Sequence, residues 1–183
     1  MIPQHNNTDK WLDQGLLNWA LNLFKPQSMI DIGCGLGGTK VIAQKHKVMW
    51  TGLDVDDTCK LYDFILVNLN NENLPFKADL CYTNQCFEHL EDQGILNGLE
   101  IISKCKVCLF CAANRRQSED GIGHISCKDP NEWIEIIEAS TDLKYNRNLT
   151  SISKVHSNMM KKGKYGKSFW MMTGLIFKNE QYI

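Results

Sequence analysis

The chain is predicted to fold as an α/β three-layer sandwich built on a mostly parallel, seven-stranded sheet with an antiparallel hairpin at one edge. Three observations predict it. Short apolar runs alternate with segments of helical period over most of the sequence, which is the pattern of a parallel sheet covered on both faces. The first of these runs opens directly into a glycine cluster, Gly33, Gly35, Gly37 and Gly38. Two strand-like runs then lie close together near the end. At 183 residues, 43% hydrophobic and 22% charged, the chain suits one globular domain with an ordinary core. We divide that domain, 1–183, into an N-terminal helix (1–26), a core (28–140) and a C-terminal strand pair with a basic loop (141–183).

Each element follows in order. After a polar arm, Thr8 is placed to cap a helix with Leu12, Leu16, Trp19, Ala20 and Leu23 on one face, ended by Pro26. A buried strand over 28–32 leads into the glycines, and a helix over 39–47 follows. Strands are expected over 48–53, 64–69, 79–84 and 106–111. Ile95, Leu99 and Ile102 give 92–104 a helical face, and Pro130 suits the first turn of a helix over 131–139 with Trp133, Ile136 and Ile137 inward. The tail offers strand-like runs over 143–150 and 168–177, separated by a lysine- and glycine-rich stretch.

Net charge is −1, from 20 basic and 21 acidic residues, so there is no global pull toward nucleic acid or membrane. No apolar run approaches the roughly 20 residues needed to span a bilayer, and the start lacks a signal peptide, so a cytoplasmic protein is expected. Seventeen Lys against three Arg, with 16 Asn, fit an AT-rich viral or bacterial genome; for a virus the compartment is the host cytoplasm. Eight cysteines in a chain able to build a core read as reduced thiols.

Gly33-Cys34-Gly35-Leu36-Gly37-Gly38 fits G-x-G-x-x-G, and Asp54 lies 19 residues after Gly35, near the spacing of a ribose-binding acid. Asp31 separates the possible ligands. A carboxylate beside the loop repels a pyrophosphate and attracts an ammonium and a sulfonium, which favours S-adenosylmethionine over a dinucleotide.

The run from Met29 to Gly38 resembles the first motif of the class I, Rossmann-like, S-adenosylmethionine-dependent methyltransferases. Gly52-Leu53-Asp54-Val55 resembles their acidic second motif, and Leu74-Pro75-Phe76, Asp79-Leu80 and Phe87-Glu88-His89-Leu90 are similar to the region of the fourth strand in the small-molecule branch, the type 11, 12 or 23-like enzymes. The resemblance spans about residues 28 to 140. It implies that Asp31 and the loop Gly33, Cys34, Gly35 and Gly37 hold the methionine end, that Asp54, with Val55 beside it, binds the ribose hydroxyls, and that Asn84 and Gln85 lie by the methionine part. Asn68-Leu69 takes the adenine position; there an amide replaces the family's usual acid. S-adenosylhomocysteine is then the product.

Methyl transfer requires an aligned nucleophile and, for an alcohol acceptor, a base. Glu88, His89 and His124 lie near the carboxyl edge of the predicted sheet. His124, nine residues before Trp133, is placed as in small-molecule and glycan methyltransferases and is favoured as base or acceptor ligand; His89 is a second candidate, or a helix-capping histidine. Gln85-x-x-Glu88-His89 with His124 resembles the Glu-x-x-Glu-His pattern of magnesium-dependent relatives, but Gln85 replaces an acidic ligand and hard ions prefer carboxylates, so no metal is expected. Cys105, Cys108 and Cys111 read as core thiols: period two turns Cys108 away from the other two. Trp11 is placed to lid the cofactor.

Thr83-Asn84-Gln85-Cys86 lacks the motifs that the resemblance would require of base methyltransferases, and duplex DNA is disfavoured. Residues 144–178 carry eight basic residues and no acid, leaving −9 on the remainder. That suits an anionic small-molecule acceptor, or an RNA end contacted through the Lys154 to Lys167 region. The expected function is methyl transfer to a small-molecule or glycan oxygen or nitrogen. The alternatives are an RNA-end or nucleotide methyltransferase, a non-catalytic cofactor-binding partner subunit, and an enzyme that uses the same cofactor without methylating. No membrane association is expected, and the sequence does not give the oligomer.

Overall fold

The computed structural model describes residues 12–57, 64–118, 122–157 and 169–180. Its sheet has seven strands: β1 (Ser28–Ile32), β2 (Met49–Asp54), β3 (Ile65–Leu66), β4 (Leu80–Asn84), β5 (Val107–Cys111), β6 (Leu143–Tyr145) and β7 (Leu175–Asn179). Their order is β3-β2-β1-β4-β5-β7-β6. The pairs β1–β2, β1–β4, β2–β3 and β4–β5 are parallel, while β7 is antiparallel to both β5 and β6. Thus the three-layer, mostly parallel sheet is as predicted. The antiparallel pair is also present, but it is no hairpin: helices α5 (Arg147–His156) and α6 (Phe169–Thr173) lie between its strands.

Four further helices, α1 (Gln14–Phe24), α2 (Gly38–Lys45), α3 (Asp92–Ser103) and α4 (Pro130–Ser140), complete the outer layers. One core packs Ile95, Leu99 and Ile102 of α3 and Trp133 and Ile137 of α4 against Ile30, Cys81, Cys108 and Phe110. The other packs Leu16, Leu17, Ala20 and Leu21 of α1 and Ile42 and Ala43 of α2 against Met29, Leu80, Tyr82 and Leu109, with Trp170 of α6. β1, β4 and β5 are thus covered on both faces, and β4 and β5 are buried almost throughout.

Several boundaries differ from expectation for local reasons. Thr8 and Trp11 lie outside the described residues, and α1 is capped by Asp13, whose Oδ1 accepts from Leu16 N at 3.1 Å. Leu23 is exposed while Leu17 and Leu21 are buried, so the apolar face is rotated from the one predicted. The edge strand β3 is two residues long because Asn68 starts a turn: its Oδ1 accepts from Asn70 N at 3.1 Å, and its carbonyl accepts from Asn71 N at 2.9 Å. In the tail, Asn146 stops β6 and caps α5, accepting from Leu149 N at 2.9 Å. Gly174 divides α6 from β7 where any Cβ would lie 2.4 Å from the Trp170 ring. Both tail segments therefore combine a helix with a strand.

The thiols also need correction. Cys105 lies ahead of β5, so the strand's alternation does not reach it; it packs with Cys81 and Cys108 in one core, while Cys111 lies in the other. All seven described cysteines are free. No helix among the described residues is long and apolar enough to cross a membrane.

Candidate functional site

The sheet order reverses between β1 and β4, and ligands of open α/β sheets bind beyond the carboxyl ends of the strands at that point. Gly33 to Gly38 leaves β1 there. Gly33, Gly35 and Gly37 have φ of 77°, 52° and 75°, in the left-handed region that favours glycine. Gly33 also lacks room for a side chain: a Cβ would lie 2.7 Å from Cys86 Cβ, beside β4. The loop is tied to β2, because the N–H groups of Gly33 and Cys34 both donate to Leu53 O, at 2.8 and 3.0 Å. Asp54, at the end of β2, accepts from Gly35 N through Oδ2 at 2.7 Å and from Asp56 N through Oδ1 at 2.9 Å. It remains half-buried, so each carboxylate oxygen keeps acceptor capacity toward the cleft.

Asp31 is more withdrawn than its sequence position suggested. It is 2% exposed and accepts from Thr39 Oγ1, which in turn accepts from Trp50 Nε1 at 2.9 Å. Burial pushes its carboxyl up to about 7, the Thr39 hydrogen bond works against the rise, and the nearby Asp54 charge adds to it. Val55 is exposed beside Asp54. Asn68 N donates to Glu72 Oε1 at 3.2 Å, and its side-chain oxygen already serves the Asn70 turn. Leu69 is a core residue whose carbonyl accepts from Asn97 Nδ2 at 2.6 Å.

Beyond β4 the chain is built differently. Asn84 ends the strand and Gln85 takes φ 57°, with its N–H donating to Cys111 O at 2.8 Å across to β5. A 3-10 turn, Phe87–His89, then presents Glu88 and His89. His89 Nδ1 lies 3.0 Å from Gly123 O, and His124 Nδ1 lies 2.9 Å from Gln117 O. The two rings meet edge to face, centroids 4.9 Å apart. Glu88 is fully buried, and burial pushes its pKa up to about 8, moderated by its own backbone N–H and that of Ala113. Ligand atoms of Glu88, His89 and His124 all lie within 4.8 Å of one another. A carbonyl can only accept, so Nδ1 of each ring carries the proton there, and in the neutral ring of His124 Nε2 is then the acceptor nitrogen.

The structure therefore gathers the predicted residues into two groups. The glycine loop and Asp54 form one, with Asp31 beneath it; Glu88, His89 and His124 form the other, with Gln85 between them at the strand ends. Of the basic stretch, Lys154 is described; Lys161, Lys162, Lys164 and Lys167 lie outside the described residues. Lys154 is half-buried, and burial lowers its pKa. Residues missed from sequence are Thr39, which holds Asp31, and Gln117, whose carbonyl holds His124. Gln117 was detectable: Asn114-x-x-Gln117 is a capping box, with Asn114 N donating to Gln117 Oε1 at 3.0 Å.

No family model matches the chain. Among solved structures, it is similar to the plantazolicin methyltransferase BpumL in complex with S-adenosylhomocysteine (SAH), with a TM-score of 0.60 and 17% identity over 97% of this chain and 87% of that one. It is similar to a SAM-dependent methyltransferase from Archaeoglobus fulgidus, with 0.59 and 16% over 93% and 97%. It is also similar to human N-acetylserotonin methyltransferase in complex with SAM, with 0.58 and 14% over 92% of this chain and 52% of that one. At these identities the likeness is one of fold: the chain shares the architecture of these methyltransferase structures.

Proposed function

We propose that the chain is an S-adenosylmethionine-dependent methyltransferase acting on a small-molecule oxygen or nitrogen. The observation that carries this is the positive-φ glycine loop at the sheet's reversal point, fastened to Leu53 O and to Asp54. Three positive-φ glycines leave backbone open to close approach, and each Asp54 carboxylate oxygen, already accepting one backbone N–H, has capacity for a further donor such as a ribose hydroxyl, so the residues present fit this cofactor. Similar folds in complex with SAH and SAM support the reading.

The bound cofactor supplies a methyl group on a sulfonium, already attached to a good leaving group. What remains for the protein is to bind, align and exclude water. Asp54 would accept from the ribose hydroxyls, and the loop Gly33, Cys34, Gly35 and Gly37 would carry the methionine end, flanked by Asn84 and Gln85. Asp31 lies behind the loop and would act on the cofactor's ammonium through field rather than contact. Val55, Asn68 and Leu69 would border the adenine. His124, with Nδ1 pinned to Gln117 O, would receive the acceptor's proton at Nε2, and His89 stands 4.9 Å away by ring centroids to share or relay it.

A second reading is favoured by one observation. Ligand atoms of Glu88, His89 and His124 lie within 4.8 Å of one another and the Glu88 carboxyl is buried, so a divalent ion held by these three residues would orient the acceptor in place of a free base. The sequence argument against a metal rested on Gln85, which this donor set does not need. Incubation with labelled cofactor tests both readings. Release of SAH with a methylated acceptor supports the enzyme, methylthioadenosine supports a non-methylating one, and binding without product supports a partner subunit. Activity that survives EDTA excludes the metal. An anionic acceptor, or an RNA end, would draw on Lys154 to Lys167; replacing Lys161, Lys162 and Lys164 with Ala should then raise acceptor KM and flatten its salt dependence.

A further inference from the structure

Behind the glycine loop, three side chains from β2, α2 and β1 form a relay. Trp50 Nε1 donates to Thr39 Oγ1 at 2.9 Å, and Thr39 Oγ1 donates to Asp31 Oδ2. Asp31 and Thr39 are both buried, so each depends on the other for its hydrogen bond. An indole N–H can only donate, whereas a hydroxyl both donates and accepts. With Trp50 on one of its lone pairs, the Thr39 hydroxyl directs its single proton to Asp31. That suits a carboxylate, which only accepts, and opposes a protonated carboxyl, which would bring a proton of its own. The indole is itself held in place. A Cβ on Gly52 would lie 2.2 Å from the Trp50 ring and 2.7 Å from Cys34 Sγ, so the ring and the cysteine of the loop share the room that glycine leaves in β2. Lys40 of α2 covers the ring, its Nζ 5.5 Å from the centroid.

We propose that Trp50 is a positioning residue for the cofactor: by fixing the Thr39 hydroxyl as a donor it holds Asp31 as a carboxylate, the form that attracts the cofactor's ammonium. The inference rests on the methyltransferase reading and adds to it the group that sets the charge behind the loop. Burial pushes Asp31 up to about 7, and the hydrogen bonds of Thr39 and Trp50 both oppose the rise. Asp54 on β2 works the other way, through its own charge. Tyr82 and Cys81 on β4, and Cys86 after it, are kept protonated by burial. On the helical side, α1 has no charged residue between Gln14 and Phe24, and its Asp13 cap is engaged by Leu16 N and Ser157 Oγ. Lys45 and His46 lie at the far end of α2, where His46 Nε2 is 2.8 Å from Asn18 Oδ1. Among these groups the relay is what favours the charged form.

The test measures SAH binding to the full chain by calorimetry from pH 6 to pH 8.5, each variant against wild type at the same pH so that titration of SAH itself cancels. No binding by wild type at any pH overturns the methyltransferase reading and this inference with it. Where SAH binds, Trp50→Phe, which keeps a ring and loses the N–H, should weaken it about threefold or more at pH 7 and less than about twofold at pH 8.5, because the rise in affinity moves to higher pH. Thr39→Val, close in shape, cuts the relay at its middle and should shift the profile the same way, which keeps the relay testable should the Trp50 variant fail to fold. In an Asp31→Asn background, either substitution should change SAH affinity by one factor at every pH. A loss equal at every pH in the Asp31 protein marks a packing role and overturns the inference. So does no loss at all, or a pH-dependent loss that persists with Asn at position 31. In each of these cases the cofactor assignment stands.

Discussion

The two halves of the cleft are made by different means. At the ends of β1 and β2 the geometry is fixed by backbone: three positive-φ glycines, two N–H groups on one carbonyl and one aspartate that serves both loop and strand end. At the ends of β4 and β5 the groups are side chains from separate segments, Glu88 and His89 on one turn and His124 on the connection to α4, each ring held by a main-chain carbonyl distant in sequence, Gly123 O or Gln117 O. Backbone geometry tolerates few residue types and so leaves a dense motif. Side-chain convergence leaves separated single residues whose meeting depends on the whole fold.

If that division is right, the largest single loss should come from the cofactor half. Asp54→Ala removes a carboxylate able to take two charge-assisted hydrogen bonds, each about 1.5 to 3 kcal/mol, so SAH affinity should fall roughly 10²- to 10⁴-fold. It also frees Gly35 N and Asp56 N. Calorimetric titration with wild-type affinity would remove Asp54 from the site. On the other half, His124→Ala should leave SAH affinity within experimental error and lower turnover by about 10² or more, the range of a lost general base. A variant that loses both together would show that the halves are mechanically joined, contrary to the comparison.

Gly33→Ala probes why the first half is so constrained. The new methyl sits 2.7 Å from Cys86 Cβ at a backbone φ of 77°, so both sterics and conformation oppose it. About 1 to 3 kcal/mol of stability should be lost, visible as a lowered melting temperature, with cofactor affinity falling as the loop moves. Gly38→Ala is the contrast: Gly38 opens α2 without a positive φ, and the substitution should be nearly neutral.

This difference also explains what could be read in advance. β1, the glycine loop and Asp54 were legible because close approach and positive φ restrict residue choice at known spacing. The reversed strand β7 was visible as a strand but not as a non-hairpin, because its connection through α5 depends on the Asn146 cap and on Trp170 Nε1 donating to Ser153 Oγ at 2.8 Å, a contact between segments 17 residues apart. Glu88, His89 and His124 were named from sequence, and weighed together as a metal set; how their rings are oriented was not legible, because Gln117 O and Gly123 O, which hold the rings, are main-chain groups, and the Asn114-Gln117 capping box signals only the turn. The position of Asp31 at the end of β1 was legible, yet its burial against Thr39 was hidden, since a strand residue's depth is set by what covers the strand.

The smallest effect is the sharpest on the acceptor half, because it reads Glu88 without needing a substrate. Its carboxyl is held at about 8 by burial, against an ordinary 4.5, so the folded protein keeps a proton there that the unfolded chain releases. Between about pH 4.5 and 8 the unfolded state binds fewer protons, and this group's contribution to stability falls as pH rises through that window. Glu88→Gln keeps the shape and removes the titration. Its melting temperature relative to wild type should therefore climb steadily from pH 5 to pH 8. A difference that stays flat with pH would mean that Glu88 is charged throughout, with a cation beside it. In that case EDTA should lower the melting temperature of wild type at pH 8 and leave the Gln variant unchanged, which would favour the metal reading of Glu88, His89 and His124 over the proton-acceptor reading of His124.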